Sequence, residues 1–210
     1  MPWVTLPARP ASGQLAEITA AEPCTAWDIT YSITATLRIT ETPMGAGDGV
    51  HTVGPGTLVL RLDDRARATL MAFELREFFA VSPRAVVWNA TVVTDVTMRA
   101  TPDSSGVAGG GVLANDVLRW AGPIRGYRSD GALTCDGSLC GKFGAPPPGR
   151  TELHWPPAPV RFQPLQFDEG GATFRMPYTL VSHTESPRQR TYLALAGREA
   201  HRTCAAASVQ

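Results

Sequence analysis

The chain has 210 residues, 43% of them hydrophobic and only 18% charged, with no net charge. That length suits one β domain with a sizeable core, or two small ones. Lys142 is the single lysine and there is no basic run, which argues against electrostatic docking on nucleic acid or on an anionic membrane surface; no stretch approaches the roughly 20 apolar residues of a transmembrane helix.

Residues 1–23 are rich in alanine and proline. Pro2, Pro7, Pro10 and Pro23 bar a regular helix, so the segment reads as an extended N-terminal arm. Residues 27–40 then alternate without exception. Trp27, Ile29, Tyr31, Ile33, Ala35, Leu37 and Ile39 form one apolar set; Asp28, Thr30, Ser32, Thr34, Thr36, Arg38 and Thr40 form the polar one. Successive side chains of a strand point to opposite faces, so this run predicts a strand with one oily and one wet face. At ~3.3 Å per residue it spans roughly 46 Å, the length of a long sandwich edge or a tilted barrel stave.

A glycine-rich connection follows over 41–56, with Gly47-Asp48-Gly49 as a turn. Residues 57–62 alternate again, Leu58, Leu60 and Leu62 on one face, and predict the antiparallel partner of the first strand. Residues 66–80 fit strand and helix periodicities about equally, and the β flanks favour a strand. Residues 85–99 predict a second long strand, 101–111 a Gly/Ser turn region ending in Gly109-Gly110-Gly111, and 112–121 a short strand. The stretch 122–158 is loop-rich, punctuated by Ser129-Asp130-Gly131 and by prolines at 146–148, 156, 157 and 159.

The last third predicts a meander. Residues 160–167 lead to a turn at Asp168-Glu169-Gly170-Gly171, 172–181 return, Ser186-Pro187 turns again, and 191–196 form the last strand. Residues 205–210 read as a flexible C-terminal tail, leaving 24–204 as a single β domain. About seven to nine strands are expected. The fold expectation is all-β: an antiparallel β-sandwich or flattened β-barrel with long strands and little or no helix.

The four cysteines admit three pairings. Cys135 and Cys140 flank a tight loop; Cys24 precedes the first long strand and Cys204 follows the last strand-like stretch. The economical pairing is therefore Cys135–Cys140 and Cys24–Cys204, which implies an oxidising compartment. Zinc sites favour closer paired spacings than these. Residues 1–23 lack the apolar core of a signal peptide. The cysteine placement favours an extracytoplasmic protein (periplasmic, cell-surface or secreted) whose leader has been removed, over a cytoplasmic one with four reduced thiols. The Thr-rich strands and scarcity of lysine have the general look of bacterial surface proteins.

Histidines occur only at 51, 154, 183 and 201. Glu152 with His154, and His183 with Glu185, share a strand face at i, i+2, and a carboxylate beside an imidazole suits acid–base work. In Thr/Ser/Pro-rich surroundings such pairs are more often solvated surface. No His-x-His, His-Glu-x-x-His or Gly-x-Ser-x-Gly occurs, and Asp48 among glycines lacks the clustered oxygens of a calcium loop. Trp27, Tyr31, Trp88 and Trp120, with Phe162 and Phe174, would be core, or would line a barrel lumen that holds an apolar ligand or glycan. No cofactor and no metal is expected. The leading expectation is a non-enzymatic extracytoplasmic protein with a structural or partner-binding role, through self-association or another protein. The alternatives are a barrel carrying a small apolar ligand and a barrel enzyme using one of the His/Glu pairs.

Overall fold

The computed structural model describes residues 24–40, 49–82, 84–85, 87–102, 108–168, 170–185 and 188–205. The expected arm over 1–23, the turn at Asp48 and the tail beyond Ala205 lie outside those residues. Everything described is all-β, without a helix, and the strands are antiparallel.

The alternation of the first strand, β1 (Ala26–Thr40), is obeyed in space: Ile29, Tyr31, Ile33, Ala35 and Leu37 are buried, with Ile33 and Leu37 at 0% exposure. β1 is a central stave rather than an edge. β2 (Gly49–Asp63) pairs along one side and β13 (Arg188–Cys204) along the other. From β13 the sheet continues through β12 (Thr173–Glu185), β11 (Leu165–Phe167), β8 (Val117–Trp120) and β7 (Gly109–Ala114). From β2 it continues to β3 (Arg67–Val81). Residues 67–70 of β3 pair with residues 109–112 of β7, so eight strands close into a barrel.

β3 has a second partner. Past Leu70 its ladder changes, and residues 73–81 pair with residues 92–100 of β6 (Thr91–Ala100). β9 (Ile124–Asp136) and β10 (Gly149–Val160) extend this wing outward, and β10 is its last strand. A two-residue ribbon, β4 (Arg84–Ala85) with β5 (Trp88–Asn89), stands apart from the sheet.

One core cluster runs through the barrel into the wing. It joins Leu58, Leu70, Phe73 and Leu75 to Met98, Tyr127 and Phe162. Truncating a leucine such as Leu70, 0% exposed, would cost about 2–5 kcal/mol in lost transfer energy and cavity. A smaller cluster of Ala90, Val92, Cys135, Leu139 and Cys140, flanked by Trp88, closes the far end of the wing. Gly197 lies opposite Phe174 in the β12–β13 ladder, and the ring covers the glycine where a side chain would strike it.

The stretch 66–80, equivocal in periodicity, is strand from Arg67 onward, as its β flanks favoured. Several other expectations are corrected. The long strand expected over 85–99 breaks at the β4–β5 ribbon and resumes as β6. Gly109-Gly110-Gly111 opens β7 rather than a turn: a Cβ on Gly111 would lie 2.5 Å from the Arg119 carbonyl oxygen, so the run serves close approach. The loop-rich stretch 122–158 contains the two long strands β9 and β10. Ser129-Asp130-Gly131 sits inside β9 because Gly131, between Val96 and Leu153, is where backbones crowd. Pro156, Pro157 and Pro159 are tolerated because β10 is an edge, where a ladder donor is dispensable. Residues 112–121 form a hairpin, β7 to β8, around Asn115 and Asp116 at φ 49° and 59°, the left-handed pair a two-residue turn requires.

Both disulfides form as paired from the sequence. Cys24 and Cys204 have Cα atoms 5.7 Å apart, Cys135 and Cys140 5.9 Å. The first ties the start of β1 to the end of β13 and encloses nearly the whole chain; the second closes a five-residue step. On a chain-entropy account, replacing Cys24 and Cys204 together by alanine should cost about 5 kcal/mol, and replacing Cys135 and Cys140 about 2 kcal/mol. Urea unfolding of the two double variants checks the order; equal losses would contradict it.

Candidate functional site

The barrel interior is not filled to its end. Near the starts of β1 and β3 and the ends of β2 and β13 lies a cavity of about 170 Å³. Inward positions of the alternating strands make its wall: Ile29 and Tyr31 from β1, Leu60 and Leu62 from β2, Ala68 from β3, Leu118 from β8. Leu113 and Phe167 complete the apolar lining, while Asp116, Arg202 and the Gly170-Gly171 turn stand at its margin. Tyr31 donates its hydroxyl proton to the Gly171 carbonyl at 3.0 Å. Its ring meets Phe174 edge-on at 5.1 Å and Phe167 at 5.9 Å, forming an aromatic trio beside the space. Burial pushes the Tyr31 hydroxyl up to about 12, with the Glu199 charge adding to it, so the phenol stays protonated.

Arg202 grips Glu199 with both arms of its guanidinium, at 3.0 and 2.6 Å. The cation at the margin is therefore already matched. A second concavity of about 390 Å³ lies on the barrel wall among Thr34, Thr36, Thr52, Arg175, Pro177 and Ala194. It is broad and open.

The aromatic set does not converge. Tyr31 lines the cavity. Trp27 stands 40% exposed outside it. Trp88 belongs to the far end of the wing, where its ring meets Phe143 at 5.0 Å and the Lys142 ammonium lies 5.1 Å above it. Trp120 packs against Phe162 and donates its indole N–H to the Gln163 carbonyl at 3.1 Å. Phe162 and Phe174 are core.

The acid–base pairs are also separated from the cavity. Glu152 and His154 alternate to one face of β10 as expected, but each turns to another partner. The Arg150 guanidinium donates to the Glu152 carboxylate at 2.7 Å, and His154 contacts the Asp130 carboxylate. The His154 side chain is 75% exposed. His183 and Glu185 lie on β12, opposite Arg190 and Arg188 in the ladder, and their side chains fall outside the described residues. Among the described residues no three His, Cys, Asp or Glu side chains gather as a metal site, and none forms a helix long and apolar enough to cross a membrane.

One ionisable group escaped the sequence reading. Glu77 sits on β3 opposite Val96, two residues beyond the buried Leu75 and therefore on the same face. Desolvation raises its carboxyl to about 7; burial likewise keeps the Tyr127 phenol protonated, with the Glu77 charge a smaller addition. The signal was present: an acid at an inward position of an alternating strand.

No protein-family model, no curated protein and no solved structure matches this chain. The geometry alone carries the functional argument.

Glu77 gives a pH prediction. The native carboxyl keeps its proton up to about 7, whereas the unfolded one loses it near 4.5. The native state thus binds more protons across that window, and stability falls as pH rises through it. Replacing Glu77 by glutamine removes the loss. The variant should exceed the parent by about 1–3 kcal/mol at pH 8 and match it within about 0.5 kcal/mol at pH 4, in urea unfolding. A difference independent of pH would contradict the assignment.

Proposed function

We propose that this protein is a non-enzymatic, extracytoplasmic structural domain that self-associates through the outer edge of β10. The observation that carries the reading is an edge at the end of a long sheet with no further strand beside it among the described residues. Between Gly149 and Trp155, β10 pairs with β9 residue by residue on one side, while its other side ends the strand order. Backbone donors and acceptors there are a template for another strand.

The second half of β10 is blunted by Pro156, Pro157 and Pro159; the first half has no proline. Residues 49–55 of β2 and 177–185 of β12 also lack a second ladder neighbour among the described residues, but one contains Pro55 and the other opens on Pro177.

The first half of β10 is self-complementary. Two copies laid antiparallel about a two-fold axis through Leu153 set Glu152 of each opposite His154 of the other, and Thr151 opposite Trp155. Each register is repeated by symmetry, as an isologous dimer requires. Glu152 and His154 are already engaged within each copy by Arg150 and Asp130, so backbone pairing carries most of this contact. Trp155, 39% exposed on the face it shares with the half-buried Leu153, supplies apolar area. The two disulfides and the scarcity of lysine support the extracytoplasmic setting.

An interface built on one strand edge is small and belongs to the weak end of the affinity range. Light scattering behind size exclusion should therefore show a monomer at low micromolar concentration and a dimer at hundreds of micromolar. Leu153→Pro should stay monomeric throughout with an unchanged far-ultraviolet spectrum. A parent that remains monomeric at every concentration, or a Leu153→Pro variant that dimerises equally well, would overturn the reading.

A further inference from the structure

We propose that the cavity at the barrel end is a binding site for one small, uncharged, predominantly apolar molecule of about the size of a single aromatic ring with short substituents. The wall is built mainly from Ile29, Leu60, Leu62, Leu113, Leu118 and Phe167, so it offers chiefly dispersion contacts, with polar groups limited to Tyr31, Asp116, Arg202 and the Gly170-Gly171 backbone. An apolar cavity of comparable size, about 150 Å³, stays dry and takes up benzene in another protein. The space here, about 170 Å³, holds a ring of that order.

The site is preformed. Its margin is tied by backbone hydrogen bonds from Phe167 N–H to the Asp116 carbonyl at 2.8 Å and from Leu113 N–H to the Ala66 carbonyl at 2.9 Å. Tyr31 fixes the Gly171 turn from inside. The Cys24–Cys204 bridge and the bond from Ala205 N–H to the Ala26 carbonyl hold β1 and β13 together at the same end. Walls held in this way do not collapse into the void, and a ligand entering it meets little ordering cost.

Charge selects the ligand class. The Arg202 guanidinium is already forked onto Glu199, and Tyr31 remains a neutral phenol whose O–H donates a hydrogen bond to the Gly171 carbonyl. A buried ionic group would meet no free counter-charge in the wall and would lose its hydration. A weakly polar substituent can face the margin beside Asp116. This site is independent of β10, which lies at the end of the wing.

The test is a titration of the disulfide-intact protein, labelled at Ile and Leu methyl groups, with toluene and separately with benzoate. Toluene should give saturable shifts at Ile29, Leu60, Leu62, Leu113 and Leu118, and benzoate should bind at least tenfold more weakly. Ala68→Leu, which places extra carbons in the space, should weaken toluene binding at least tenfold; Leu62→Phe, nearer the margin, serves the same purpose if Ala68→Leu fails to fold. Trp155→Ala should bind as the parent does. Absence of saturation up to the solubility limit of toluene, benzoate binding as tight as toluene, or a folded filling variant with unchanged affinity would each overturn the proposal.

Discussion

Everything distinctive in the molecule follows from a change of partner within one strand. β3 donates its first half to the barrel, pairing with β7 at residues 67–70, and its second half to the wing, pairing with β6 from Phe73 onward. A sheet whose strand has two successive neighbours on one side must split there. One branch closes through short β7, β8 and β11; the other runs on through β6 and β9 to an open end. The small residues at the split make it possible. Gly109 lies against Ile124, and Ala108 N–H reaches the Leu70 carbonyl at 3.3 Å, so β7 enters close beside β3 just where β6 leaves it. The cavity belongs to the closed branch and the exposed edge to the open one.

The surface is made neutral by pairing arginine with carboxylates across ladders. Asp28 and Arg61 are direct cross-strand partners joined by two bonds at 2.7 and 2.8 Å. Glu74 and Arg99 repeat the arrangement between β3 and β6, and Arg76 reaches diagonally to Asp95. The Arg61 guanidinium holds the Asp28 carboxyl below its usual range, and Arg76 does the same for Asp95. Such exposed pairs add little stability individually, about 1 kcal/mol or less. Their larger consequence is that the planar guanidinium fork specifies geometry and register, which a lysine ammonium would not.

Legibility in the sequence tracked burial. β1 could be read residue by residue because from Ile29 to Leu37 every second side chain is buried and those between are not, and the same held for Leu58 and Leu60 of β2. β9 and β10 were hidden because burial along them does not alternate cleanly, β9 mixing buried and half-buried positions and β10 being largely exposed, and because glycine and proline, turn signals elsewhere, are there for backbone crowding and for an edge. The disulfides were legible from position alone: two cysteines bracket the β region, and two bracket a short loop. Of the ligand candidates, Tyr31 was placed beside the cavity and the tryptophans were not. A void is a matter of shape, set by residues on seven strands and the turns beside them, and residue type does not announce it. Glu152 and His154 were placed on one face as expected, but spacing could not say that Arg150 and Asp130 would engage them first.

In the proposed self-association the outer edge of β10 pairs with that of another copy. Backbone amide hydrogen exchange, followed strand by strand at low micromolar and at several hundred micromolar protein, tests it most directly. Within 149–155, the amides directed away from β9 should exchange more slowly at high concentration, while those of β9 and of the barrel stay unchanged. Exchange in β10 that is identical at both concentrations would contradict the account.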